Sequence, residues 1–427
     1  MARRSSRRSA TSKAVSAEQA HVLTIERLGR RGEGIARIDD RRVFIPYALA
    51  GERVRATVAR ERGALIEVIA PASERVSPFC PHFGTCGGCA VQHLEANAYA
   101  SWKRGIVETA LGNRGLDAPV EALIDAHGQG RRRATFHVVP VRGKRIAGFS
   151  AARSHEIIDL DACPILVPKL GQAPELARAL AEATGSTGRI DVQFTVMDGG
   201  IDANVTGARA LTLDARRALA AAAEAWDLAR LAVAGDIVVE RRMPMVGMGI
   251  AQVSPPPGAF LQATEEGERT LADLVSRHVP DARRIADLFA GVGPFALRLA
   301  QTAAVYAADF DDAALAALER AAHGARELKP VETHARDLQT RPLMAAELAG
   351  FDAVVFDPPR FGAEAQAHAL AISRVPRIAA VGCDPATFAR DTAILVEGGY
   401  RLQRVIPVDQ FKWSPHVEIV GLLERDR

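Results

Sequence analysis

From about residue 257 the sequence settles into a repeating order of apolar strand, turn and helix: RIADLFA, PFALRLAQ, AVYAADF, DAALAALERAA and FDAVVFDPP. That order leaves few folds open. Strands separated by helices pair in parallel through right-handed crossovers, which places a sheet in the middle and helices on both faces. Residues 251–427 are therefore expected to form a doubly wound α/β domain. Its ligand site is expected outside the carboxyl ends of the strands. In RIADLFAGVGPFALRLA, Asp287 closes the first strand, and Gly291 and Gly293 form the turn into the helix. About twenty residues on, the second strand ends in Asp309, placed to accept hydrogen bonds from ribose hydroxyls. Gly291-x-Gly293-x-x-Ala296 also fits the loose dinucleotide fingerprint. On its own this turn admits either NAD or S-adenosylmethionine.

The downstream segments are more specific. FDAVVF runs into Asp357-Pro358-Pro359-Arg360. Two prolines after a buried strand make a stiff corner with free carbonyls, suited to holding a planar base beside a reactive methyl group. Asp337, in HARDL, ends a strand-like segment and either faces an adenine or caps a helix. Cys383, in VGCDPATFARD, lies at a strand-to-helix junction that Asp384 or Thr387 can cap. A thiol at a helix N-terminus is expected to have a lowered pKa and to be nucleophilic. Glu418 sits in the apolar run SPHVEIVGLL. A carboxylate among Val and Ile has a partner or a raised pKa, and both suit a general base.

The first half of the chain reads differently. Residues 17–71 are short strands punctuated by Gly29, Gly32, Gly34, Gly51 and Gly63, the pattern of a small barrel. Residues 1–70 hold 15 Lys and Arg against 8 Asp and Glu, a net of +7, whereas the remaining residues, 39 against 43, are net −4. A second basic island follows at residues 131–153: Arg131, Arg132, Arg133, Arg142, Lys144, Arg145 and Arg153, with no acidic residue among them. This asymmetry is the footprint of a polyanion partner. A basic flexible arm is expected at 1–16 and a linker near Pro71–Pro78. Asp198-Gly199-Gly200 signals a hairpin. No run of ~20 apolar residues is present, so no membrane span is expected.

Five cysteines is an odd number for a secreted disulfide framework, so a reducing compartment, the cytoplasm, is expected. Three of them read C-x5-C-x2-C in PFCPHFGTCGGCAVQH: Cys80, Cys86 and Cys89. A tetrahedral centre is then one ligand short, and Cys163 in DACPIL can supply it. Four thiolates suit zinc or an iron–sulfur cluster. A single CxxC beside a wider gap and a distant Cys-Pro favours the 4Fe–4S cluster.

Taken in order, ERVSPFCPHFGTCGGCAVQH, FLQAT, DLFAGVGPF, FDPPR, CDPATFARD and SPHVEIVGLL resemble the RNA 5-methyluridine methyltransferase family over nearly the whole chain. The resemblance implies a multidomain α/β protein. Its parts are an N-terminal OB-like β-barrel, the TRAM domain, over 17–71; an α+β domain bearing the cluster and basic RNA-facing strands over 72–250; and a Rossmann-like methyltransferase domain over 251–427. It implies that Cys80, Cys86, Cys89 and Cys163 bind a 4Fe–4S cluster. It implies that Gln262, Phe289, Asp309 and Asp357 contact S-adenosylmethionine, in the pocket that Gly291, Gly293 and Asp337 border. Cys383 would be the nucleophile and Glu418 the base. The activity implied is methyl transfer to C5 of a specific uridine, in 23S ribosomal RNA sooner than transfer RNA, through a covalent bond from Cys383 to C6. A cytoplasmic monomer is expected. The chain departs from the family where Asp309 replaces a frequent Glu, and where Phe361, after the DPPR corner, is bulkier than the expected Ala.

Overall fold

The computed structural model describes residues 19–425, so the expected basic arm at 1–16 lies outside the described residues. The chain forms two compact units, one of residues up to Ser77 together with His93–Glu95, the other of Pro78–Gln92 and Ala96 onward.

Alternating runs build the first unit. In Arg53-Val54-Arg55-Ala56 the arginines face outward and Val54 and Ala56 are buried, the period of two of a half-buried strand. Six strands, β1 (Gln19–Thr24), β2 (Arg27–Leu28), β3 (Glu33–Ile38), β4 (Arg41–Pro46), β5 (Arg53–Ala59) and β6 (Arg62–Ala70), form one sheet in the order β1-β5-β6-β4-β3-β2. β1 also packs on β3, so the sheet curls over a core of Leu23, Ile25, Val43, Ile45 and Val54. Between β3 and β4, Asp39 and Asp40 take positive φ of 45° and 63°, as a two-residue type I′ hairpin requires.

The second unit opens with the cysteine loop, then α1 (Ala96–Gly112) and β7 (Ile124–Asp125). A seven-stranded sheet follows, built from β8 (Arg133–Val141), β9 (Lys144–Ser150), β10 (Ile157–Asp159), β11 (Ile190–Met197), β12 (Gly200–Thr206), β13 (Leu228–Val233) and β14 (Asp236–Glu240). Helices α2 (Ala173–Ala183) and α3 (Leu213–Ala225) bury Leu176, Leu180 and Leu219 against it. The expected hairpin is present: Met197 pairs with Gly200 across Asp198-Gly199.

A small hairpin, β15 (Val246–Met248) and β16 (Ala251–Val253), leads into the strand–helix alternation. Its elements are α4 (Glu265–His278), β17 (Arg284–Leu288), α5 (Ala296–Leu299), β18 (Ala304–Asp309), α6 (Asp312–Gly324), β19 (Val331–Ala335), β20 (Ala353–Phe356), α7 (Glu364–Ala371), β21 (Arg377–Gly382), α8 (Pro385–Glu397), β22 (Arg401–Asp409) and β23 (Glu418–Glu424). The sheet order is β19-β18-β17-β20-β21-β23-β22-β7, with β17 to β21 mutually parallel and β23 antiparallel to both neighbours. All four residues of β20 are buried, as expected of a parallel strand covered on both faces. The order reverses between β17 and β20, which opens a crevice at their carboxyl ends. Most of 72–250 and all of the described 251–425 share this compact unit and exchange elements: α1 packs on α8, and β7 extends the sheet beside β22. Among the described residues no helix is long and apolar enough to cross a membrane.

One buried ion pair secures the end of this sheet. Lys103 on α1 and Asp409 at the end of β22 are 0% and 1% exposed, with Nζ 2.5 Å from Oδ1. Lys103 also donates to the carbonyls of Phe411 (3.2 Å) and His416 (2.5 Å), so all three of its protons are used. Tyr99 donates to Asp409 Oδ2 at 2.6 Å and accepts the Trp413 N–H at 2.9 Å. The loop leading to Glu418 is thereby tied to α1. We predict that Lys103→Met, which leaves Asp409 buried without its cation, destabilises this unit by about 3–5 kcal/mol in urea unfolding. A loss below ~1 kcal/mol would show the pair to be dispensable.

Candidate active site

The glycine turn forms as the sequence suggests. Phe289, Gly291 and Gly293 all have positive φ, of 67°, 52° and 91°. A Cβ on Gly293 would lie 2.4 Å from Leu318 Cδ1 on α6, so only glycine fits there. Asp309, at the end of β18, braces the turn: its Oδ2 accepts the Gly291 N–H at 2.9 Å, and its Oδ1 accepts that of Asp311, also at 2.9 Å. The Phe289 ring meets Phe356, at the end of β20, edge to face. Asp337 follows β19, where its carboxylate accepts the Gln339 N–H at 3.0 Å and the Thr340 hydroxyl at 2.8 Å. These bonds hold it below the usual carboxylate range. It caps a turn, and no helix starts there.

Four carboxylates converge where these strands end. Burial pushes Asp287 up to about 8, the backbone N–H of Ala296 opposes, and the charge of Asp309 adds to the rise. Burial together with Glu418 and Asp287 raises Asp357 well above the carboxylate range. Burial pushes Glu418 up to about 7, against the hydrogen bond from Gln410 and the charges of Arg360 and Lys103. Removing negative charges from water while placing them side by side favours their neutral forms. A cationic ligand in the crevice reverses that balance.

Cys383 follows β21 directly, and Asp384 caps α8 by accepting the N–H groups of Ala386 and Thr387 at 2.9 and 3.3 Å. The expected lowering of the thiol pKa is overturned. Burial, reinforced by Glu418 and Asp357, pushes Cys383 up to about 12, and the nearby Arg360 offsets only part of this. The first N–H groups of α8 are already occupied by Asp384, so the helix terminus does not outweigh two carboxylates.

Helix α8 also clamps the DPPR corner. Thr387 Oγ1 donates to the Arg360 carbonyl at 2.9 Å, Arg390 to that of Phe361 at 3.1 Å, and buried Asp391 accepts the Ala363 N–H at 2.8 Å. Cys383 shares a small pocket with Pro358, Pro359 and Thr387. Phe361 itself is exposed.

Gln262 and Glu418 meet through a residue that sequence reasoning missed. Gln410, fully buried between β22 and β23, donates to Gln262 Oε1 at 2.5 Å and to Glu418 Oε1 at 3.0 Å. Its one sequence signal is a polar side chain directly after the apolar run of β22, which has no periodicity to mark it.

The basic island divides in two. Arg142, Lys144 and Arg153 are exposed, as a polyanion-facing surface requires. Arg132 is instead buried, with Nη2 2.5 Å from Glu268 and Nε donating to the Gln262 carbonyl at 3.2 Å. Arg133 lies over the Phe260 ring and Arg131 over Phe411. A buried acid thus draws Arg132 inside, whereas Arg131 and Arg133 stay half-buried against aromatic rings.

Cys80, Cys86, Cys89 and Cys163 line one cavity of about 250 Å³, together with Arg131 and Gln92. None is in a disulfide. The loop is preformed: Cys80 N–H donates to Gln92 Oε1, Cys86 N–H to the His82 carbonyl and Gly87 N–H to the Ser150 carbonyl. A Cβ on Gly87 would lie 2.9 Å from that carbonyl. Among the described residues no three ligating side chains are set around a single ion. The four thiols instead share the lining of one cavity. The same loop braces the approach to Glu418: Phe79 packs on Trp413 with centroids 4.7 Å apart, and Ala90 N–H donates to the Trp413 carbonyl at 2.8 Å.

Comparison with known proteins matches this geometry. Residues 279–426 fit the model of the tRNA (uracil-5-)-methyltransferase family, and residues 22–62 that of the TRAM domain. An uncharacterized RNA methyltransferase from Brucella suis is 44% identical over 95% of this chain and 98% of its own length. The 23S rRNA (uracil(1939)-C(5))-methyltransferase RlmD of Halomonas elongata is 34% identical over 94% and 89%. The chain belongs to the RNA uracil-5-methyltransferase family. The crystal structure of the Pyrococcus abyssi tRNA (uracil-54, C5)-methyltransferase, in complex with S-adenosyl-L-homocysteine, shares the fold with a TM-score of 0.71 at 21% identity, covering 94% of this chain and 99% of that one. This RNA methyltransferase therefore carries an N-terminal TRAM domain and shares a methyltransferase fold.

In the unliganded methyltransferase, Cys383 is predicted to alkylate with iodoacetamide at a rate that climbs roughly tenfold per pH unit between about pH 7 and 10. A rate that levels off below about pH 8, followed by peptide mass spectrometry, would show a thiolate already formed.

Proposed function

We propose that this RNA methyltransferase moves the methyl group of S-adenosylmethionine to C5 of a uridine in 23S ribosomal RNA, in the cytoplasm, by way of a covalent bond between Cys383 and C6. The observation that carries this reading is the meeting of a thiol, Cys383, and a buried carboxyl poised near neutrality, Glu418, at the strand ends beside the glycine turn. The similarity to the Halomonas 23S rRNA enzyme supports the choice of RNA.

The residues fit the donor. We assign Asp309 to the ribose hydroxyls and Gln262, Phe289 and Asp357 to the rest of the donor, beside the turn that Gly291 and Gly293 make. The converging carboxylates suit a sulfonium and an ammonium group. When bound, the donor supplies an electrophilic methyl group. Asp337 borders the crevice at most, since its carboxylate is engaged in its own turn.

C5 of uracil is a weak nucleophile until C6 is saturated. Cys383 gives its proton to water, which leaves Glu418 ionised for the later step, and the sulfur adds to C6. The electrons of the C5–C6 bond then pass through the enolate to C5, which takes the methyl group. Glu418 removes the C5 proton, and the electron pair it leaves restores the double bond as the sulfur departs. Ionised Glu418 is the active form, so release rises with pH through about 7. The exposed Arg142, Lys144 and Arg153 and the arginines of the TRAM sheet provide phosphate contacts. These contacts offset the few kcal/mol needed to flip out a stacked base.

The four cysteines fit a 4Fe–4S cluster: they line a single cavity, carry no disulfide and are preorganised by backbone hydrogen bonds. We assign the cluster a structural part, because their loop supports Trp413.

RNA carrying 5-fluorouridine is predicted to trap a covalent complex, since fluorine cannot leave C5 as a proton does. Cys383→Ala abolishes the complex, and Glu418→Gln accumulates an adduct on ordinary uridine RNA. A complex that survives Cys383→Ala would refute the nucleophile. Anaerobically purified protein is predicted to be brown, with about four irons per chain; zinc without iron would exclude the cluster.

A further inference from the structure

We propose that Gln410 is a positioning residue that selects which oxygen of Glu418 takes the proton and fixes the amide of Gln262 so that its NH₂ end faces the ligand. This rests on the reading of Glu418 as the base.

The amide of Gln410 can be oriented in only one way. Its Nε2 carries two protons and faces two acceptors, Glu418 Oε1 at 3.0 Å and Gln262 Oε1 at 2.5 Å. Its Oε1 accepts the Thr264 N–H at 3.3 Å. Reversing it would set oxygen against two oxygens and NH₂ against an N–H at a fully buried site. Thr264 is itself fixed: it caps α4 by accepting the Gly267 N–H at 2.9 Å, and it donates to the Ala126 carbonyl at 2.7 Å. Gly267 blocks the other side, for a Cβ there would lie 2.8 Å from Gln410 Cβ and 2.9 Å from its Oε1. The side chain is held at both ends and has no room to swing.

Two consequences follow for the reaction. Glu418 Oε1 is committed as an acceptor, so the C5 proton is delivered to Oε2. The carbonyl of Gln262 is likewise turned toward Gln410, so its NH₂ end is the part left to face whatever fills the crevice. Its complement is an acceptor, a carboxylate or carbonyl oxygen, and a ligand with a donor at that point is rejected. The charged and titratable groups acting on Glu418 are Arg360 and Asp357 after β20, Cys383 after β21 and Lys103 on α1. Of these only Arg360 and Lys103 favour the carboxylate, and Gln410 is the one neutral donor that joins them.

The test uses full-length protein with Gln410→Leu and, as an isosteric second variant, Gln410→Glu, which has at most one proton for two acceptors. Both are expected to form the Cys383-dependent adduct with 5-fluorouridine RNA. In single-turnover methylation of uridine RNA, the acid limb of the rate is expected to move up by about one pH unit, and KM for S-adenosylmethionine to rise several-fold. A loss of packing alone would leave the limb in place. If either variant forms the adduct but keeps the wild-type limb and KM, the inference is overturned. A wild-type chain that forms no Cys383 adduct would instead overturn the parent reading, and this one with it.

Discussion

Asp409 is the point on which the active site is hung. Its carboxylate holds Lys103 and Tyr99 of α1 and the N–H of Phe411, so one buried charge fixes the strand end, the helix and the first turn of the loop between β22 and β23. Gln410 is the next residue, and Glu418 opens the following strand. A buried pair of this kind adds little net stability over an apolar replacement, but losing one partner is costly. Its effect here is geometric. The one antiparallel excursion in an otherwise parallel sheet is placed so that its polar residues meet those of β17, β20 and β21 at their carboxyl ends.

Burial and like charge together set the electrostatics of the crevice. Asp287, Asp357 and Glu418 are all displaced toward their neutral forms, and Cys383 toward the protonated thiol. Each of these displacements is costly to a charged group and is relieved when positive charge arrives.

Much of this could be read from residue order because it depends on local rules. The strand–helix rhythm after residue 257, the Asp198-Gly199 hairpin and the capped junction at Cys383 follow from period, turn chemistry and capping. Gly293 was marked by its motif, and Leu318 of α6 supplies the steric reason. What could not be read depends on partners distant in the chain. Arg132 looked like part of a basic surface, but Glu268, far along the sequence, draws it inside. Asp337 ends its strand as expected and then spends its carboxylate on Gln339 and Thr340. For the thiol of Cys383 the sequence points to the influence of its own helix, whereas burial, reinforced by carboxylates at two other strand ends, outweighs it. Gln410 carried no periodic or motif signal, since its importance comes from residues 146 and 148 positions away in one direction and 8 in the other.

Trp413 lies at the middle of the loop that ends in Glu418, in a left-handed backbone conformation, with Phe79 and His127 edge-on to its ring and Ala90 bonded to its carbonyl. Phe79 and Ala90 flank the three clustered cysteines on either side. Whatever occupies or empties the thiol cavity therefore changes the support beneath the proton acceptor without touching it. The sulfur-lined chamber and the loop that carries Glu418 are mechanically in series.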